Sequence, residues 1–398
     1  MQGCDAAGSH QSRTANTEEP FPTGSLALLE IASGPSSAWE VAATPTVVIG
    51  SGEAGDLYQV RGAVILATGS LVVADGGSGQ LRLYGREGQL LRVLGRRGEG
   101  PGEFRRLSGV WKFEGDSLLA LDTSFGQHRF LVFSPGGDFV RSWSPLTPPG
   151  ESRTLGVAAV ASDGAVLFLT STTIRPAEVP VLGRNLESAY WYKSDGDLAG
   201  SLGRFPGPLI YRGSGMQQGR VSFGAGTLFA ATGLWWFSFD PISGDIRKHR
   251  RDGTVELVFR MEVPRAPITE AHKSKERERR KAELREGLRG AVGPMQRLLV
   301  EQEAMVEEMP FPERFPPYAR VFGGSDGCLW VQVYPPLEDG GERWQVLAPS
   351  GQWLARVTLP YGLTLYDVAA DNVVVVRRDE LGTEYVQVHG LERSTTCR

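Results

Sequence analysis

Few side chains in this chain of 398 residues stand at spacings that chemistry requires. Its five histidines, His10, His128, His249, His272 and His389, are scattered from end to end. A catalytic metal needs several His, Asp or Glu side chains converging on one point, and no such set can be assembled from the sequence. The nearest histidine–carboxylate pair is His128 with Asp122, read as a structural loop contact. The three cysteines, Cys4, Cys328 and Cys397, match no zinc spacing. Cys328 opens an apolar run and Cys397 lies in the C-terminal tail, so the two could pair only if the tail folds back. No serine sits in a nucleophile elbow. Gly50-x-Gly52-x-x-Gly55 spells a dinucleotide fingerprint, with Asp75 at a fitting distance. That fingerprint must open a helix, whereas 57–66 is rich in strand-forming residues. The loop from Gly98 to Phe104 lacks the Lys-Ser/Thr ending of a phosphate loop. Its acids Glu99 and Glu103 are ligand candidates, and Phe104 is expected to plug the gap between two repeats. The sequence thus assigns no catalytic residue, no metal ligand and no cofactor.

The elements that would position any site are far clearer. An apolar run, a Gly turn and a second apolar run recur five times, with turns at Gly88, Gly137, Gly196, Gly253 and Gly351. This periodicity predicts an all-β fold, a six-bladed β-propeller. Expected strands are 59–66, 71–75, 81–84 and 90–94 in the first blade, then 110–113, 118–122, 130–133 and 139–143 in the second. The third blade runs over 157–202 and the fourth over 221–261. The fifth uses 319–322, 329–333, 344–347 and 353–358. The sixth has only three strands, 365–368, 373–376 and 385–388. A ring with a short blade exposes a sheet edge, so the spare strand at 46–49 is expected to close the last blade from outside. Between blades four and five the pattern changes to a charged helix over 269–288, N-capped by Thr269, and a second helix over 295–309. This hairpin (insertion 267–310) is expected to pack on the propeller rim.

Composition sets limits. Hydrophobic residues make up 41%, enough for a packed core, and 51 Gly and 25 Pro suit many tight turns. A net charge of −4 argues against nucleic-acid binding. No apolar run is long enough for a transmembrane helix. Residues 1–24 read as a flexible tether, 25–392 as the propeller and 393–398 as a tail. Gly3-Cys4 ahead of the polar linker reads as the end of a lipobox, although no apolar signal core precedes Cys4.

The loop Gly95-Arg96-Arg97-Gly98-Glu99-Gly100-Pro101-Gly102-Glu103-Phe104 resembles that of bacterial six-bladed β-propeller proteins related to the NHL-repeat group. The stretches Gly327-Cys328-Leu329-Trp330-Val331 and Arg378-Asp379-Glu380-Leu381-Gly382-Thr383-Glu384-Tyr385-Val386 fit the same family, and the resemblance spans residues 25–392. It implies the fold and an exported, often lipid-anchored protein, and it transfers no catalytic residue. The expectation is therefore a non-catalytic binding or scaffold propeller of the bacterial cell envelope, periplasmic or anchored through Cys4. It would meet a protein partner through Trp235, Trp236, Met295, Leu298 and Met305, with a small-molecule ligand as a further occupant. With Met1 as the true start, the location would be cytoplasmic. The alternative is a metal-dependent hydrolase or lyase with its site in the central channel.

Overall fold

The computed structural model describes residues 28–397 apart from 32–33, 35–36, 51–54, 125, 152, 172–180, 213–217, 289–291 and 336–340. Cys4, His10, the 1–24 tether and the centre of the Gly50–Gly55 motif lie outside the described residues. Three short strands come first: β1 (Leu28–Ile31), β2 (Glu40–Val41) and β3 (Val47–Ile49). Four antiparallel strands then make the first sheet: β4 (Val60–Ile65), β5 (Leu71–Asp75), β6 (Gln80–Tyr84) and β7 (Leu90–Leu94). The second sheet holds β8 (Leu107–Phe113), β9 (Ser117–Ser124), β10 (Gln127–Phe133) and β11 (Phe139–Trp143). The third is longer, with β12 (Arg153–Val160), β13 (Val166–Ser171), β14 (Val181–Tyr192), β15 (Leu198–Arg212) and β16 (Gln218–Arg220). The fourth contains β17 (Leu228–Thr232), β18 (Trp235–Phe239), β19 (Asp245–His249) and β20 (Val255–Met261).

Two helices follow, α1 (Glu270–Gly287) and α2 (Pro294–Glu308). Thr269 caps α1 in a reciprocal box with His272. The fifth sheet is β21 (Tyr318–Gly323), β22 (Leu329–Val333), β23 (Glu342–Leu347) and β24 (Trp353–Leu359). The sixth has three consecutive strands, β25 (Leu363–Val368), β26 (Asn372–Arg378) and β27 (Glu384–Glu392).

Sequence pattern explains these elements. Strands covered on both faces are apolar runs: Leu71–Ala74 of β5 and Val373–Val376 of β26 are all buried, and β5 ends in a buried Asp75 paired with Arg82. Outer strands such as β7, with four of its five residues exposed, face solvent. The five repeat glycines all have positive φ, from 84° at Gly88 to 100° at Gly196, which turns of this kind require.

The sheets pack in a closed cycle. Phe104, Leu81 and Phe133 join sheets one and two. Phe130, Trp143 and Phe168 join two and three, while Leu167, Phe229 and Trp236 join three and four. Phe259 and Leu347 join four and five, and Trp344 and Val375 join five and six. Val386, Val376 and Tyr84 return from six to one. First strands of neighbouring sheets touch, β4 against β8, β17 against β21 and β25 against β4, so they surround the centre. Sheets radiating around an axis in this way are a β-propeller.

The N-terminal strand at 46–49 lies where the short last sheet needs it. β3 pairs antiparallel with β27, Ile49 opposite Val386, and β2 pairs with the end of the same strand. β1 is an addition that periodicity did not suggest: it runs parallel to β20 on the outside of sheet four. The C-terminal tail is also held, because Cys397 forms a disulfide with Cys328, Cα atoms 5.4 Å apart. Arg393 lies over the Trp39 ring, 4.7 Å from its centroid, so the segment ahead of β2 and the C-terminal tail meet beside sheet five.

Candidate functional site

Five of the six turns that follow first strands converge at one end of the axis. They enclose a cavity of about 560 Å³ lined by Ala67, Lys112–Asp116, Ser162, Thr232 and Gly323–Ser325, among others. Small residues let the sheets crowd here. A Cβ at Gly323 would fall 1.7 Å from the Ala231 carbonyl oxygen, so only glycine lets β21 approach β17.

The polar groups at this mouth are tied together across sheets. Asp116 accepts from the Ala67 amide at 2.8 Å and Ser162 Oγ donates to the Gly233 carbonyl at 2.9 Å. Lys112 Nζ donates to the Ile65 carbonyl at 2.5 Å and keeps its ammonium at the cavity wall. Ser325 Oγ donates to Asp367, 2.9 Å from Oδ1 and 3.1 Å from Oδ2. Asp367 is buried behind that serine and also accepts from the Ile65 and Val368 amides at 3.1 and 2.8 Å. Burial pushes the Asp367 carboxyl up, opposed by these amides and by the charge of Lys112. Thr232 Oγ1 is buried at the wall and makes no hydrogen bond among the described residues. The mouth therefore offers a polarised hydroxyl, a carboxyl behind it, a cation and one unsatisfied hydroxyl.

The histidines do other work. Asp122 is engaged by Arg105 and Arg129, at 3.3 and 2.9 Å, so the His128–Asp122 pairing is not formed. His128 instead packs edge-on against Phe168, and burial lowers its pKa. His249 pairs with Ser238 at 2.8 Å in the core, and His389 bonds the Ala42 carbonyl and Gln387. No group of three His, Cys, Asp or Glu suited to a metal occurs among the described residues. Glu103 closes its own loop by accepting from the Gly100 amide and pairing with Arg96, while Phe104 fills the seam between sheets one and two.

The expected partner contacts do not form one surface. Trp236 is fully buried between sheets three and four, and Met305 is buried with Met309 and Val221, so neither faces a partner. Trp235 is half-buried under Lys248, whose Nζ is 4.0 Å from the ring centroid. Met295 is exposed on α2, and the Leu298 side chain lies outside the described residues. The polar residues gathered at the axial mouth, Lys112, Ser325 and Asp367, carried no sequence signal beyond their place in the strand-to-strand repeat.

No protein-family model matches this chain, and no curated protein matches its sequence. Solved structures do. A Bacteroides fragilis protein proposed to be exported is similar at 11% identity and a TM-score of 0.45, covering 92% of this chain and 98% of that one. The PQQ-bound aldose sugar dehydrogenase of Streptomyces coelicolor is similar at 11% identity and 0.43, covering 90% and 100%. Virginiamycin B lyase of Staphylococcus aureus is similar at 10% identity and 0.37, covering 88% and 95%. At these scores the likeness transfers no residue and no activity. Enzymes stand among these similar structures, so the expectation of a non-catalytic scaffold finds no support in them and is not carried further. No helix among the described residues is long and apolar enough to cross a membrane.

Proposed function

We propose that the protein is a catalytic propeller, a hydrolase or lyase acting on a small carbonyl compound in the axial cavity. One observation carries the reading: the Ser325 hydroxyl donates to the buried Asp367 carboxylate in the wall that also presents Lys112. A hydroxyl aimed at a carboxylate can pass a proton to it, and a carboxyl raised by burial is a better base than a solvated one. The Lys112 ammonium supplies charge for an oxyanion developing on the substrate. Thr232 Oγ1 is free to orient a polar group. A resident metal does not fit the described residues, so no step is routed through one. This retains the site in the central channel and the reaction class of the alternative reading, and removes its metal.

In this proposal the six sheets are six blades, with the helical hairpin inserted between the fourth and fifth. Export is supported by the Cys328–Cys397 disulfide, a bond that persists in oxidising compartments. The test is turnover of an ester and lactone panel by the purified full chain. Activity should survive chelator treatment, and Lys112→Ala should lower kcat/KM about a hundredfold or more in a variant that still folds and melts cooperatively. Absence of turnover across the panel, or full activity in Lys112→Ala, would sink the reading.

A further inference from the structure

A second cavity lies at the opposite end of the ring. β22 runs antiparallel to β21, away from the axial mouth, and Tyr334 follows it there. Between that tyrosine, the residues after β16 and helix α1 is a space of about 420 Å³. Its wall holds three arginines, Arg220, Arg279 and Arg280, and a single carboxylate, Glu276.

The acceptors here are already used. Glu276 takes Ser222 Oγ at 2.8 Å on Oε1 and Arg279 on both oxygens, at 2.7 and 2.8 Å. Donors remain. Arg280 spends Nη1 on the Arg220 carbonyl at 2.9 Å, on Ser222 Oγ at 3.3 Å and on Met309 Sδ at 3.0 Å, and makes no ion pair at salt-bridge distance among the described residues. Neither the Arg220 guanidinium nor the Tyr334 hydroxyl makes a hydrogen bond among the described residues. Glu187 lies within electrostatic reach of Arg220, but burial pushes its carboxyl up toward the neutral form and weakens that compensation.

The wall is also strained. Phe223 lines the cavity with φ at +61°, a conformation costly for a bulky side chain and found where surroundings impose it. Its ring is held by Phe315, Phe311 and Tyr334, at centroid distances of 4.9, 6.1 and 6.0 Å.

We infer that this cavity is a binding site for a small organic anion, one carrying a carboxylate or phosphate group and an apolar or planar body. Arg220, Arg280 and Tyr334 donate to the anionic group, and Phe223 offers a ring to the rest. The inference does not rest on the axial site. It is tested by calorimetric titration of the full chain with citrate, inorganic phosphate and phenyl phosphate at low ionic strength. At least one anion should bind saturably, and Arg220→Gln should weaken it by about tenfold or more. Tyr334→Phe should weaken it less, and Lys112→Ala should leave it unchanged. Arg220 is exposed, so its substitution spares the fold, whereas Arg280→Gln also removes bonds between α1 and the sheet. Absence of saturable binding by all three anions, or equal affinity in Arg220→Gln, would overturn the inference.

Discussion

Ser325 and Asp367 belong to neighbouring sheets, 42 residues apart, and the packing of sheet six against sheet five brings hydroxyl to carboxylate. Such pairs show how one residue type serves two ends. Asp122, buried like Asp367, is spent on Arg105, Arg129 and the Arg106 amide and holds a loop. Asp367 has its serine facing a cavity. His249 shows a third outcome. It is fully buried, hydrogen-bonded to Ser238, and burial pulls its pKa down to about 4. The folded state therefore keeps it neutral while the unfolded chain takes up a proton near pH 6.5. Its contribution to stability is present above that pH and is lost as pH falls from about 6.5 to about 4, by at most about 3 kcal/mol. Chemical denaturation across this window should show the acid-side loss in the wild type and a flatter profile in His249→Gln. Identical profiles would refute the assignment.

Among the elements, the helical hairpin and the C-terminal tail are fastened by different means. The charged helix α1 buries little apolar surface and is held by polar contacts, Glu276 to Ser222 and Arg280 to the Arg220 carbonyl. α2 contributes Met305 and Met309 to a small cluster with Val221. The tail is fixed covalently. The Cys328–Cys397 bond spans 69 residues, and native disulfides typically contribute about 2–4 kcal/mol, mainly by restricting the unfolded chain. Cys397→Ser should cost about that much in denaturant titration. A midpoint unchanged in the variant and under reductant would show that the tail adds nothing.

At the scale of the whole molecule, closure decides stability. β27 has partners on both sides only because β2 and β3 pair with it. β1 merely adds a parallel strand outside sheet four. Deleting residues 1–50 should therefore abolish cooperative unfolding, whereas deleting 1–34 should lower the melting temperature only modestly. A cooperative, near-normal melt for the 1–50 deletion would show that the ring stands without its clasp.

The sequence by itself determined the repeats, their turns, the clasping strand at 46–49, the Thr269 cap and the plug at Phe104. All of these are local: alternation of apolar residues, a glycine where φ must be positive, a polar cap, or a strand count one short. Tertiary structure decided what local pattern cannot encode. Trp236 and Met305 read as possible contacts because apolarity looks the same on a seam and on a surface, and packing put both inside. Asp122 and His128 are close in sequence, yet arginines outcompete the imidazole for the carboxylate. The disulfide needed the tail's path, which no spacing reveals. The axial mouth and the arginine-lined cavity each draw side chains from several sheets or from a helix and a loop, at separations of 40 residues or more, as Ser325 to Asp367 and Ser222 to Glu276 do. Chemistry assembled across a ring is set by which sheets become neighbours, and that is a property of the closed structure.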